Sequence, residues 1–230
     1  MAILAVSGCV TQQTKPVSVS ESASKKEWNA LNTQVEELYR AGDYGGAITV
    51  AKKAVEVAET SGGPTHPDVA QSLTNLAVLY SAQHQPTQAE PLFQRALAIR
   101  EEALGSDDPL VADSLSNLAV CYGSQRRYAQ AAPLFQRALA IREKVLGPDV
   151  PLVADSLNDL AGLYAAQGLY AQAEPLFTRA LGIREKVLQP DDPHVAESLE
   201  GLAALYRATK RGDEAKPLEQ RAASIRAAQR

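Results

Sequence analysis

Residues 109–150 reappear at residues 151–192 with 29 of 42 positions identical and no gap. The register extends in both directions: Pro67, Pro109, Pro151 and Pro193 lie 42 residues apart, as do Tyr80, Tyr122, Tyr164 and Tyr206, and Ala89, Ala131, Ala173 and Ala215. A chain that repeats at a period between about 20 and 50 residues stacks like units, each burying its apolar face against its neighbours. Five copies fit, at about residues 25–66, 67–108, 109–150, 151–192 and 193–230, behind a leader and tether at 1–24. Function in such an array is sought on a surface rather than in an enclosed pocket.

Helical spacing is plain inside each copy. Val111, Ala112, Leu115, Leu118, Ala119 and Tyr122 form one apolar stripe, the first helix of a pair. Pro109 opens it, because proline in a first turn gives up only an N–H that had no partner, and Asp108 can cap. After a turn at 124–127, Ala131, Leu134, Phe135, Ala138, Leu139, Ile141 and Leu146 form the stripe of a second helix, which stops near Gly147-Pro148. Pro133 and its equivalents Pro91, Pro175 and Pro217 are read as marking the start of that helix. In the first copy, Ser24 and Glu27 have capping-box spacing and start the helix near Lys25. The Phe position is Ala51 in the first copy and Glu219 in the last, so the array is expected to be complete at both ends, with Ile225 a candidate for exposure.

Hydrophobic residues make up 45% of the chain and aromatics only 5%, which suits a core of Leu, Ala and Val on helices. A net charge of -4 lacks the basic face of a nucleic-acid binder. His66, His84 and His194 fall in loops and a turn with no companion at ligand spacing, so they are expected to be solvated or capping, and no metal site is expected. No glycine-rich phosphate loop or nucleophile elbow appears, so neither a cofactor nor catalysis is expected. Cys121 sits among core positions and reads as a small buried hydrophobe.

A small residue and Tyr on the first helix, with Ala, Phe and Ala on the second, resemble the tetratricopeptide repeat, a unit of about 34 residues. The longer form here, with DSLSNLA and AAPLFQRALAIREKVLG, resembles the repeats of kinesin light chains and their bacterial relatives; eight more residues amount to about one extra turn per helix. The resemblance covers 25–230 and implies an all-α, right-handed α-solenoid of five helix-turn-helix repeats. It further implies that the first helices line a concave groove, whose candidate partner-binding residues are Asn32, Glu36, Gln71, Asn75, Asp113, Asn117, Asp155, Asn158, Asp159, Glu197 and Glu200. Asn75 and Asn117 match asparagines that hold a peptide backbone in related repeats. Where chaperone-binding relatives carry basic residues, this chain has Asp113, Asp155 and Glu197, which points to a basic or polar protein segment as partner.

Along the inner columns Glu36, Asp113, Asp155, Asp159, Glu197 and Glu200 outnumber Arg40 and Arg207, six to two, which predicts a negative field in the groove. The alternative is that Asp113, Asp155 and Glu197 merely complement helix dipoles. Two arginine ladders, Arg95/Arg137/Arg179/Arg221 and Arg100/Arg142/Arg184/Arg226, are read as a solvated outer face paired with Glu101, Glu143 and Glu185, or else as a site for an acidic partner.

At the N-terminus, Val6-Ser7-Gly8-Cys9 behind a short apolar run resembles the bacterial lipobox, which implies acylation of Cys9 and a lipid-anchored place in the cell envelope, on the periplasmic side. The alternative is a cytoplasmic protein with an idle Cys9. No stretch approaches the roughly 18 apolar residues of a membrane span, so membrane contact is expected only through the anchor. The function expected is a non-catalytic scaffold that binds a peptide segment or partner helix. The alternative is an assembly factor that docks on a large secretion- or pilus-type envelope complex or on itself.

Overall fold

A computed structural model describes residues 22–229. Within them the chain forms ten helices and no strand: α1 (Ala23–Arg40), α2 (Tyr44–Gly62), α3 (Pro67–Ala82), α4 (Pro86–Leu104), α5 (Pro109–Ser124), α6 (Tyr128–Leu146), α7 (Pro151–Ala166), α8 (Tyr170–Val187), α9 (Pro193–Ala208) and α10 (Gly212–Ala228). Each helix packs on the one before it and the one after it, giving an α-solenoid of five pairs. The first helices also approach one another directly, α1 against α3 and α7 against α9, which places them on the inner side of the curve.

The first helices open as their sequence dictates. Asp108 and Asp192 accept hydrogen bonds from the main-chain N–H groups of Leu110 and His194, both at 2.8 Å, and His66 Nδ1 accepts from Asp68 N at 3.2 Å. In the first pair the cap is Ser22 rather than Ser24. The Ser22 hydroxyl accepts from Lys25 N at 3.2 Å and the helix runs from Ala23, so Ser24 lies inside the first turn and the expected boundary moves back by two residues.

The second helices start earlier than the prolines suggest. α6 begins at Tyr128, so Pro133 stands inside it, as Pro91, Pro175 and Pro217 stand inside α4, α8 and α10. The cause is the turn before them. Gly42, His84, Arg126, Gly168 and Lys210, one per copy, all have positive φ between 57 and 77°. The next N–H then returns to a carbonyl five residues back, as Arg127 N does to Tyr122 O at 2.9 Å and Leu169 N to Tyr164 O at 2.9 Å. This reversal uses three residues and the next helix follows at once. His84, Arg126 and Lys210 hold a conformation that costs a side-chain-bearing residue about 1–2 kcal/mol, so the tight turn is stabilised by what it brings together.

What it brings together is a continuous core. Val111, Ala112 and Leu115 of α5 bury against Ala138 and Ile141 of α6 inside one pair. Between pairs, Phe93 and Phe135 join Ala77, Leu118, Ala119, Tyr122 and Leu160 in a cluster that spans three copies. Phe177 leans so far onto α9 that a Cβ at Gly201 would stand 2.6 Å from its ring, which explains the glycine at that place. Ile225 is buried against Val195, Leu199 and Ala222, not exposed, because α10 turns its apolar side inward onto α9. Truncating Phe135 to Ala is expected to cost about 3–5 kcal/mol in denaturant unfolding. In an array of nearest-neighbour contacts the loss should stay local, with hydrogen exchange accelerated most in α5 to α7.

Candidate partner-binding surface

The inner surface is organised by side chains that come from the outer helices. Arg100, Arg142 and Arg184, on α4, α6 and α8, are only 5%, 8% and 1% exposed. Their guanidinium groups run between first helices instead of forming a solvated outer ladder. Arg142 donates to Asp113 Oδ1 at 2.7 Å and Ser116 Oγ at 3.1 Å on α5, and to Ser156 Oγ at 2.5 Å on α7. Arg184 donates to Asp155 Oδ1 at 2.7 Å on α7, and to Ser198 Oγ at 2.9 Å and the His194 carbonyl at 2.6 Å on α9. Arg100 reaches Gln71 Oε1 at 3.1 Å on α3 and Ser114 Oγ at 2.7 Å on α5. A buried guanidinium is tolerated when most of its donors are met, and its planar fork suits contacts to helices on either side; of these three arginines Arg184 leaves its buried Nε–H without a partner. At the first interface Ala58 takes the arginine's place, and the Trp28 indole donates to Ser72 Oγ at 2.7 Å. Arg226, in the last copy, pairs with Glu200 at the surface.

This spine revises the charge of the groove. Asp113 is the counterion of Arg142, and Asp155 and Glu197 are those of Arg184, the latter at 3.1 Å. None lies in the first turn of its helix, so they are not dipole partners, and they are not a free negative field either. Glu36 pairs with Arg40 and Glu200 with Arg226. Of the six acidic residues, Asp159 alone among the described residues has no ion pair. Although accessible to solvent, its carboxyl is pushed up to about 6, first by the water it loses among the helices, then by repulsion from Asp155 and Glu197.

The asparagines divide between the spine and the surface. Gln71, held by Arg100, donates to Asn75 Oδ1 at 3.0 Å; Asn75 donates to Asn32 Oδ1 at 2.8 Å, and Asn32 to the Trp28 carbonyl at 2.8 Å. Asn117, the equivalent of Asn75 one copy on, is half-buried with its amide bonded to nothing else among the described residues. Asn158 is buried and belongs to the spine: with its oxygen turned to Arg184 it accepts from Nη1 at 2.5 Å and from Ser198 Oγ at 3.1 Å.

Between these polar groups lies a run the charge count had hidden. Tyr39, Val78 and Val120 are 42%, 37% and 54% exposed. Tyr39 and Val78, with Val35, Asn75, Leu79 and the Glu36–Arg40 ion pair, line an open cleft of about 250 Å³. Val120 lines a second, of about 260 Å³, with Ser81, His84, Pro86, Cys121 and Ser124. The available signal was valine recurring at one inner position in consecutive copies, 78 and 120.

Arg95, Arg137 and Arg179 pair with Glu59, Glu101 and Glu143 at 2.7, 2.5 and 2.5 Å, and Arg221 pairs with Glu185, an exposed outer ladder contributing about 0–1 kcal/mol per pair. The Cys121 thiol is buried, which pushes its pKa up. Among the described residues no His, Cys, Asp and Glu come together as a metal site, and no helix is long and apolar enough to cross a membrane. Cys9 lies outside the described residues.

The tetratricopeptide-repeat family profile matches residues 29–102, 80–144, 110–186 and 152–228, which together span almost all of the helical array. The chain belongs to the tetratricopeptide repeat family. Among solved structures, a putative kinesin light chain from Podosopora anserina with nearly identical TPR-like repeats is 25% identical, with a TM-score of 0.77 over 92% of this chain and 99% of that one. BtubC (BKLC) from P. vanneervenii is 23% identical, with a TM-score of 0.74 over 90% and 92%. The pilF protein of Pseudomonas aeruginosa shares the fold at 19% identity and a TM-score of 0.65, over 89% and 78%. A search of curated protein sequences finds no match.

Two predictions separate spine from surface in this tetratricopeptide array. Asp155→Ala removes a counterion from a buried guanidinium and is expected to lower stability by about 1–3 kcal/mol, toward the low end because Asp155 is 41% exposed and Glu197 remains. Asp159→Ala should not destabilise; chemical denaturation of the two variants side by side checks this. The second concerns pH. A carboxylate whose pKa rises on folding from about 3.9 binds its proton more tightly in the native state, so its contribution declines as pH rises from about 4 to about 6 and stays lost above. Relative to Asp159→Asn, the melting temperature of the wild type should therefore fall across that window and run parallel above pH 7.

Proposed function

We propose that this protein is a non-catalytic scaffold that holds a peptide segment or a partner helix on its concave face. The family is one of protein-interaction modules, and the observation that carries the reading is the inner surface left over once the arginine spine is satisfied. There Tyr39, Val78 and Val120 stand exposed beside Asn75 and Asn117, on helices held rigid from behind. Contact with the partner falls to these residues and to Glu36, Asp159 and Glu200, while Gln71, Asp113, Asp155 and Glu197, though they reach solvent, are engaged by the arginine spine, and Asn32 and Asn158 lie lower among the helices.

The same proposal places the array in a bacterial cell envelope, tethered through acylated Cys9; without acylation the protein would work in the cytoplasm. A single acyl chain holds only marginally, so stable attachment needs at least two. Expressed from its native start, the wild type is expected in the membrane fraction and Cys9→Ser in the soluble one; equal fractionation would end the anchor reading.

A second reading, docking on a large envelope assembly or on another copy, is favoured by a separate observation. Leu104, Leu110, Val145, Leu146, Leu152 and Val187 are exposed along the edge made by the inter-repeat loops. Capture with Val120→Asp and Leu152→Asp variants, read by mass spectrometry, distinguishes the two: a groove ligand is lost only with the first, an edge partner only with the second.

A further inference from the structure

The concave face is not uniform along its length. Over α1, α3 and α5 the exposed Tyr39, Val78 and Val120 stand with Asn117 beside charges that are matched in place, the Glu36–Arg40 pair at the rim of the first cleft and Asp113 on Arg142, and behind them Arg100 is buried against the neutral Gln71. Glu36 and Asp113 are each matched by one arginine, so this half carries no excess of negative charge. Over α7 and α9 the balance reverses. Asp155 and Glu197 both pair with Arg184, and Asp159 beside them has no ion pair, feeling Arg142 and Arg184 only at a distance; with Asp113 counted against Arg142, four carboxylates face two guanidinium groups, an excess of two. Glu200 is cancelled by Arg226.

We propose that the groove takes an amphipathic segment of another protein whose aliphatic side chains lie on Tyr39, Val78 and Val120 and whose α7-proximal end carries a lysine or arginine that pairs with Asp159. This rests on the concave-groove reading above and adds the partner's chemistry and its polarity along the array. The charge distribution selects the occupant. A cation at Asp159 relieves the mutual repulsion of three carboxylates, while the apolar remainder passes over Arg100 without placing a second cation beside it. An acidic segment would meet the excess of negative charge and gain nothing accessible from Arg100, which is buried. Aliphatic anchors suit the two shallow clefts, whose walls beside Val78 and Val120 are largely apolar.

The test uses synthetic probes and the full chain carrying Cys9→Ser. Fluorescein-labelled amphipathic peptides, with three leucines at helical spacing and one terminal lysine, are made with the lysine at either end, together with versions bearing glutamine or glutamate in its place. Fluorescence anisotropy should rank lysine above glutamine by about fivefold or more, with glutamate weakest. Asp159→Asn should erase that ranking while circular dichroism shows unchanged helix content, and Val120→Asp should abolish binding of every peptide. If the three peptides bind alike, or the ranking survives Asp159→Asn, the polarity inference is overturned, and the groove reading still stands provided Val120→Asp abolishes binding. If binding survives Val120→Asp, the groove is not the site and both fall. Failure of every peptide to bind also overturns the inference and leaves the groove reading to the capture experiment.

Discussion

A guanidinium taken out of water has to find its partners in the protein, and in this array that requirement ties one repeat to the next. Arg142, on α6, bonds to α5 of its own pair and to α7 of the next, and Arg184, on α8, does the same one period on with α7 and α9. Apolar stripes alone would hold the pairs together, but a surface of Leu, Ala and Val has little to choose between one sliding position and another. A forked donor that must meet a serine on one helix and a carboxylate on another has one solution. Lysine, with a single compact ammonium, could not span the same set.

The carboxylates of the inner face are consequences of that arrangement before they are features of a binding surface. Counted along the sequence they make a strongly negative groove; placed in the fold, most are counterions and the surface becomes a neutral, partly apolar run with one end negative. Charge seen from outside is therefore a residue of internal bookkeeping. Net charge along a helix face says little until the partners behind the face are known.

Local chemistry was legible from the sequence and long-range chemistry was not. The period, the two stripes per copy, the caps at Asp108 and Asp192 and the stop at Gly147 each depend on residues within one or two turns. The start of the second helices was misread because the left-handed turn residue is glycine in only two copies, and Arg126 or Lys210 gives no sign of its conformation. The arginines were misread because their burial depends on partners 14 and 29 residues away. That signal was present as a co-occurrence of Arg, Ser and Asp at fixed offsets, visible only once the offsets mean adjacency. Of the candidate surface, Asn75 and Asn117 could be found by position, whereas Val78 and Val120 share an inner position with Glu36 and carry no charge or amide to mark them for binding.

The bridges are unevenly distributed. The interfaces crossed by Arg100, Arg142 and Arg184 each carry one; the first interface has Ala58 and the smaller indole contact, and Arg226 lies at the surface. Opening a bridged interface exposes apolar area and strands a cation at the same moment, so the last four pairs, α3 to α10, behave as one cooperative block. Opening the first interface exposes apolar area and breaks half-buried or exposed polar contacts such as Trp28–Ser72, Asn32–Asn75 and Lys25–Asp68, but strands no buried cation. Unfolding then begins with α1 and α2, and takes Tyr39 from the concave face before the block that carries Val78, Val120 and Asp159 gives way.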